Sequence, residues 1–458
     1  MIEKIGSVVE NINMIIWGPP LIILLVVTSI YLSIRLRFPQ FKILVSFKEI
    51  FKTEKGIKKN SITPFKSLMT VLAGTLGTGN ITGIAVAILV GGVGSLFWML
   101  ISAVLAMVIS YAENYIVLLY RKKDRNKGYY GGTMYVLDEV LGKRKIAILF
   151  AIVVVFATIG SGNMTQSNSL STLLSNNLNV KESTIGIILA LITAYIVFGG
   201  KRRIAKVSSV IIPICTMIYL FLCLCILWKN RAGIIPGLSQ MLTVAFGGKQ
   251  IIGGIAGMGI TTIIGRGFSI GMFSNEAGMG TAPMFTATVE DESIETQASV
   301  AATSVVIDTI ILCMLTGVTI ISTGIYDSQS SSELLNKVFG QVLFGKELLN
   351  ICMVFFVLAT IPCLEYYGEQ AISYLTSSKL MVYIFRLMYI MGIYVGSIMY
   401  SNIVWELSGI ANALMTLPNI YMIYSLVDEI VPSYRNSNNY KKVYKKRNEN
   451  NKYFRKNY

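Results

Sequence analysis

The chain has 458 residues, 53% of them hydrophobic and only 14% charged, with a mean hydropathy of +0.62; a soluble domain carries about 25% charge, so the class is a polytopic membrane protein built as one unit. The net charge of +16 sits in short loops and a tail between apolar runs, which matches the anionic cytoplasmic leaflet of a bilayer rather than nucleic acid. The lack of any histidine excludes a histidine-ligated metal, a Ser-His-Asp triad and a histidine proton relay.

Cys215, Cys223, Cys225, Cys313, Cys352 and Cys363 all lie inside apolar runs with no C-x-x-C pair, so they read as small core residues. With no nucleophile-base pair and no cofactor motif in the chain, an enzyme is not expected.

In chain order, eleven stretches reach the length of a membrane span, about 20 residues of helix. A leading span covers 12–34 and ten more cover 67–92, 95–119, 146–175, 184–199, 208–228, 251–287, 298–325, 347–376, 380–400 and 403–427. The leading span lacks the basic start and small-residue cleavage site of a signal peptide. One transmembrane domain over 1–431 is expected, followed by a basic tail over 432–458 whose low apolar content predicts disorder against the anionic membrane surface. The segment 128–141 is too short to span and reads as an interfacial element.

Basic residues set the orientation. Arg35, Arg37, Lys42, Lys48, Lys52, Lys55, Lys58 and Lys59 follow the leading span; Arg121, Lys122, Lys123, Arg125 and Lys127 follow span two; Lys201, Arg202, Arg203 and Lys206 follow span four. With eleven spans these loops and the tail share one side, which places the N-terminus outside and the C-terminus in the cytoplasm. The acidic loop of Glu290, Asp291, Glu292 and Glu295 lies on the same side, and acidic residues weigh little in this rule.

Span one breaks its own pattern. Its middle reads Gly74-Thr75-Leu76-Gly77-Thr78-Gly79-Asn80, and glycine costs close to 1 kcal/mol per helical position relative to alanine. Backbone that leaves a helix inside a membrane must be buried in protein or line a polar cavity, so the freed groups await a small polar solute or an ion. Taken alone, the Gly79–Gly83 spacing also fits a helix-packing face.

Span six repeats the anomaly with Phe273-Ser274-Asn275-Glu276-Ala277-Gly278-Met279-Gly280-Thr281-Ala282-Pro283. The second break lies five spans after the first, so the two broken spans run in opposite directions. Such a pairing points to an inverted-repeat transporter, with repeats over about 67–228 and 251–427. Half-helix N-termini suit a carboxylate and unwound carbonyls suit a cation; an amino acid co-transported with a cation satisfies both. A channel is the rival class, and a proton is the alternative coupling ion. Glu113, Asp308 and Glu406 also fall inside spans, where carboxylates are costly and serve either transport or structural pairing.

These motifs resemble those of the alanine or glycine:cation symporter family. The anchors are Gly77 to Ile81, Gly91-Gly92 before Phe97-Trp98-Met99, Tyr120-Arg121 before Gly131-Gly132, Gly162 to Asn168, Gly199 to Arg202, Phe273 to Pro283, Ile307-Asp308-Thr309, Tyr366 to Glu369 and Leu417-Pro418-Asn419. The resemblance covers nearly the whole chain. It implies an all-α leucine-transporter-like fold, a 5+5 inverted repeat with discontinuous spans one and six plus one leading span, and sodium-coupled uptake of a small neutral amino acid across a prokaryotic plasma membrane. No cofactor is implied beyond sodium as the coupling ion.

Residue by residue, the resemblance implies that the amides of Thr78, Gly79 and Asn80 hold the substrate carboxylate. Asn163 and Gln166 then face the same cavity, Ser274 and Asn275 line it, and Phe273 and Leu364 form apolar walls. One sodium is implied near the carbonyls of Ala73 and Leu76 and the hydroxyl of Thr360, a set of oxygens suited to a hard cation. The chain departs from the family pattern in three places. Ile270 stands where the family has Arg, with Arg266 one turn earlier on the same face; Cys363-Leu364 replaces a Gly-Trp pair; and Gly409 replaces an Asp. Leucine in place of tryptophan leaves more room, so a range reaching serine, threonine or glutamine is expected.

Overall fold

The computed structural model describes residues 2–46, 64–124, 128–247, 259–289, 294–326, 328–399 and 401–435. Residues 436–458, and with them nearly all of the expected tail, lie outside the described residues, as do Arg125, Lys127, Glu290, Asp291 and Glu292.

The leading span is two helices, α1 (Ile2–Ile16) and α2 (Pro19–Arg35). The joint is written in Gly18-Pro19-Pro20: two prolines at the start of α2 have fixed φ and no N–H to lose. Helix α3 (Pro39–Ser46) follows. Span one is α4 (Pro64–Thr75), a single 3₁₀ turn (Thr78–Asn80) and α5 (Thr82–Gly91), with α6 (Ser95–Tyr120) next.

The expected interfacial element carries the one pair of strands among the described residues. Strands β1 (Lys122–Asp124) and β2 (Gly128–Tyr130) pair antiparallel, Lys123 opposite Tyr129, and lead into α7 (Thr133–Glu139).

Span three is α8 (Arg144–Ala157) and α9 (Thr165–Leu178), joined by a wide π turn over Thr158–Met164. Then come α10 (Glu182–Val197), α11 (Gly200–Lys229) and α12 (Arg231–Ala245), the last where no span was expected. Span six is α13 (Ile260–Asn275) and α14 (Ala282–Thr286). Span seven is α15 (Ile294–Val305), a second π segment (Val306–Cys313) and α16 (Met314–Thr323). Helices α17 (Ser331–Phe339), α18 (Gly345–Leu375), α19 (Lys379–Ile398) and α20 (Ser401–Arg435) complete the order.

Among the described residues eight helical stretches are long and apolar enough to cross a membrane. Spans one, four and six are shorter or interrupted. Large apolar side chains such as Leu191, Tyr195, Phe221, Trp228 and Met391 point outward, while Glu113, Asn114, Asn163, Asp308 and Thr360 are fully buried. This is the distribution of a chain whose solvent is lipid and whose polar groups are satisfied from within. Helices α13 and α15 pack on α6, α4 and α11 on α18, and α10 on α19, so both broken spans are enclosed by unbroken ones.

Candidate transport site

At the first break α4 stops at Thr75, and every residue from Gly74 to Asn80 is buried. The freed Thr78 N–H donates to Gln166 Oε1 on α9 (2.8 Å), and Gly77 N–H donates to Asn80 Oδ1 (3.2 Å). The freed carbonyl of Leu76 accepts from Thr360 Oγ1 on α18 (2.9 Å), a hydroxyl shared with Phe356 O (2.7 Å). At 77 a Cβ would lie 2.5 Å from Gln166 Oε1, so a side chain there would displace the amide head that holds Thr78 N–H. At 79 a Cβ would lie 3.1 Å from the Phe273 ring. Thr78 Oγ1 is buried and finds no partner among the described residues.

Beside the break lies a carboxylate with no cation against it. Asp308, in the second π segment, accepts from Asn80 Nδ2 (2.6 Å), Ser274 Oγ (2.7 Å) and Thr309 Oγ1 (2.7 Å). Cys313 Sγ lies 3.2 Å from Asn80 Nδ2 and 3.1 Å from Ser274 Oγ. Spans one, six and seven therefore meet at one fully buried, oxygen-rich point.

The second break is held differently. Glu276 takes a left-handed turn (φ 53°), and Gly278 and Gly280 follow at φ 83° and 73°. Their freed amides donate to Glu113 on α6, Gly278 N to Oε1 (3.2 Å) and Gly280 N to Oε2 (3.1 Å). Asn419 Nδ2 on α20 adds a bond of 2.6 Å to Oε2, and Asn419 Oδ1 accepts from Thr133 Oγ1 (3.1 Å). Glu113 is a structural clamp.

On the side where α13 begins, the Phe273 ring packs on Trp405 of α20, centroids 4.8 Å apart, and Trp405 also covers Gly83. One residue on, Glu406 pairs with Arg266 (2.8 Å), both side chains nearly buried. Asn13 of α1 donates to Glu406 Oε2, Glu10 lies 3.6 Å from Arg266, and Trp17 Nε1 donates to Gly409 O (3.0 Å). Arg266 and Glu406 form a pair one turn before Ile270 and Gly409 on their helices, and Asn13 fills the space over Gly409.

Thr78, Gly79, Asn80, Gln166, Phe273 and Ser274 converge on the first break. Asn275 stands one step back, donating to Thr309 Oγ1 (3.1 Å) and accepting from Ala277 N (3.0 Å), so it shapes the second break. Asn163 does not face this cavity; its amide donates to Tyr389 O on α19 (2.6 Å). Leu364 is buried against Gly162 of the first π segment, and Glu365 beside it turns toward α19. Ala73 is fully buried one turn before Leu76. The sequence reading gave Trp405 no role, because nothing local distinguishes it from an interfacial aromatic. It noted Asp308 as a costly carboxylate and a motif anchor but gave it no place at the site, since two of its partners lie 34 and 228 residues away.

Residues 2–455 match the sodium:alanine symporter family. The chain is 33% identical over 437 residues to a Methanococcus maripaludis protein named "Sodium/alanine symporter AgcS", covering 93% of this chain and 95% of that one. It is 31% identical over 433 residues to the Bacillus subtilis "Probable sodium/glutamine symporter GlnT", covering 93% and 89%. Among solved structures, MhsT in complex with L-phenylalanine superposes with a TM-score of 0.57 at 12% identity, over 81% of this chain and 90% of that one, a likeness of fold. The two breaks, their inverted placement and these matches agree: the chain belongs to the sodium:alanine symporter family and is a multi-pass, sodium-coupled amino-acid symporter of leucine-transporter-like fold, not an enzyme.

Proposed function

We propose that this protein carries a small neutral amino acid into the cell with sodium, and that its substrate lies at the first break. The observation that carries this reading is the amide of Thr78 held by Gln166, next to the unpartnered Thr78 hydroxyl. A neutral side-chain oxygen on a freed amide is a partner that a substrate carboxylate displaces with gain, because charge-assisted bonds are about twice as strong. Gly79 and Asn80 continue the amide run. Phe273 with Trp405 closes the site on the α13 side, and Ser274 borders it.

Sodium is assigned to the carbonyls of Ala73 and Leu76 and the Thr360 hydroxyl, with Thr360 already turned to Leu76 O at 2.9 Å. Asp308 supplies carboxyl oxygens nearby, and when ionised it favours cation entry. The N-terminus lies outside and the C-terminus in the cytoplasm, with anionic lipids facing the basic loops and tail.

A range beyond alanine and glycine is supported by Leu364, where a smaller side chain stands in place of the family's tryptophan, and by likeness to a protein whose name specifies glutamine. A panel of amino acids tested for sodium-dependent binding to the purified protein decides the matter. Binding of glycine, alanine and at least one of serine, threonine or glutamine is expected; sodium-independent binding of all of them rejects the coupling.

A further inference from the structure

Glu365 is a buried carboxylate that the transport site does not use. It follows Leu364 in α18 but turns to α19, on the same side as Ile361, whose carbonyl accepts from the Tyr389 hydroxyl (2.8 Å). Its side chain is 1% exposed, and neither carboxylate oxygen has a hydrogen-bond donor among the described residues. Arg386 Nε lies 3.3 Å away without the alignment of a hydrogen bond, while the same guanidinium donates from Nη2 to Glu369 at 2.6 Å. The other groups facing Glu365 are Tyr366 on its own helix and Tyr389 on α19. The π segment across from this part of α18 brings Thr158, whose hydroxyl is bonded to Val155 O (3.0 Å), and no charge.

Two carboxylates therefore share one guanidinium, and ionising both leaves a net negative charge, with Glu365 buried and without a hydrogen bond among the described residues. Such a charge is neutralised by a proton or a cation. Sodium needs several oxygen ligands, and here the Tyr389 and Thr158 hydroxyls are already committed. A proton needs only one carboxylate oxygen. The three side chains also step inward: Glu369 is 24% exposed, Arg386 20% and Glu365 1%.

We propose that Glu365 is a proton-binding site of this protein, loaded past Glu369 and Arg386 from the end of the bundle where α7 lies, and that proton binding there adjusts uptake through α18. In the binding step a hydronium ion gives up a proton: one of its O–H bonds breaks, an O–H bond forms on Glu365, water remains, and Arg386 stays paired with Glu369. The proton site stands without the substrate reading; only its link to uptake rests on it. Thr360 and Leu364 lie on the same two turns of α18, which provides that link.

The test is infrared difference spectroscopy of the full-length protein across a pH series. A carbonyl band of a protonated, buried carboxylic acid is expected at neutral pH, lost in Glu365→Gln. In Glu369→Gln, Arg386 is freed for Glu365 and the band weakens at the same pH; this variant keeps Glu365, so it serves even where Glu365→Gln does not fold. In proteoliposomes the pH profile of sodium-driven uptake flattens in Glu365→Gln, while sodium-dependent binding at neutral pH persists. A spectrum of Glu365→Gln that matches the parent at every pH, or a band in Glu369→Gln of parental strength, overturns the proposal. Loss of sodium-dependent binding in the parent itself counts against the transport reading and leaves the spectroscopic result standing.

Discussion

The two breaks are the same interruption of a membrane helix, closed by opposite means. At the first, freed amides and carbonyls are held by neutral groups, the Gln166 amide, the Asn80 amide and the Thr360 hydroxyl. At the second, two freed amides and the Asn419 side chain converge on one buried carboxylate, Glu113. A partner held by a single hydrogen bond is exchanged at little cost, whereas a buried carboxyl that ties three donors from two segments together is not. On the proposed reading the difference separates a site from a joint, although both stretches read alike as glycine-rich, polar interruptions.

The largest expected effect falls on the site. Gly79→Leu drives a side chain into the Phe273 ring, already 3.1 Å from a Cβ, so sodium-driven uptake is abolished while the protein still purifies as a monodisperse species. Uptake at parental rate by this variant would falsify the location of the substrate. Glu113→Ala probes the joint: three buried donors lose their acceptor, at about 1–3 kcal/mol each. Thermal unfolding in detergent should drop steeply and by the same amount with or without sodium and amino acid. A drop confined to the ligand-bound protein makes Glu113 part of the site instead.

Thr360→Val keeps the shape and removes one oxygen. Sodium affinity is expected to fall about tenfold, near 1.4 kcal/mol, and amino-acid affinity to fall with it, because linkage between two ligands is reciprocal. An unchanged sodium titration removes Thr360 from the cation site. Leu364→Trp acts on selectivity alone: each methylene excluded from a packed pocket is worth about 1 kcal/mol, so the larger amino acids are lost and glycine or alanine spared. An identical preference in parent and variant makes residue 364 a packing position.

The smallest effect is expected at Asn163. Its amide bonds Tyr389 O, so Asn163→Ala costs about 1 kcal/mol of stability with substrate affinity unchanged; a large loss of affinity would bring this residue back to the cavity.

What the sequence made legible was whatever it writes locally. Glycine clusters inside apolar runs mark both breaks, and the polar run Gly162 to Asn168 marks the helix that reaches the first. Gln166 and Asn163 sit three residues apart in that run, yet only one reaches the break, because the π turn over Thr158–Met164 rotates the helix face in a way that no spacing rule anticipates. Ile270 and Gly409 read as two losses; the packing of α13 against α20 shows the Arg266–Glu406 pair one turn before them. Helix α12 escaped notice because its interior Pro236 and scattered apolar residues resemble a loop.

Helix α20 touches all three levels of the molecule. Glu406 meets Arg266 near one end, Asn419 grips the Glu113 clamp in the middle, and Asp428 meets Arg35 (2.6 Å) near the other. Pro418 stands beside Asn419 and removes one helical hydrogen bond there, so a tilt of the rod about the clamp meets its least resistance at this point. Thirteen residues at 1.5 Å each put Glu406 ~20 Å from that point. A tilt of about 5° then carries it ~1.7 Å sideways, enough to part it from Arg266 while the clamp itself scarcely moves. By this lever, an angular change too small to disturb the packing around Asn419 is magnified into the opening or closing of a contact at the far end of the helix.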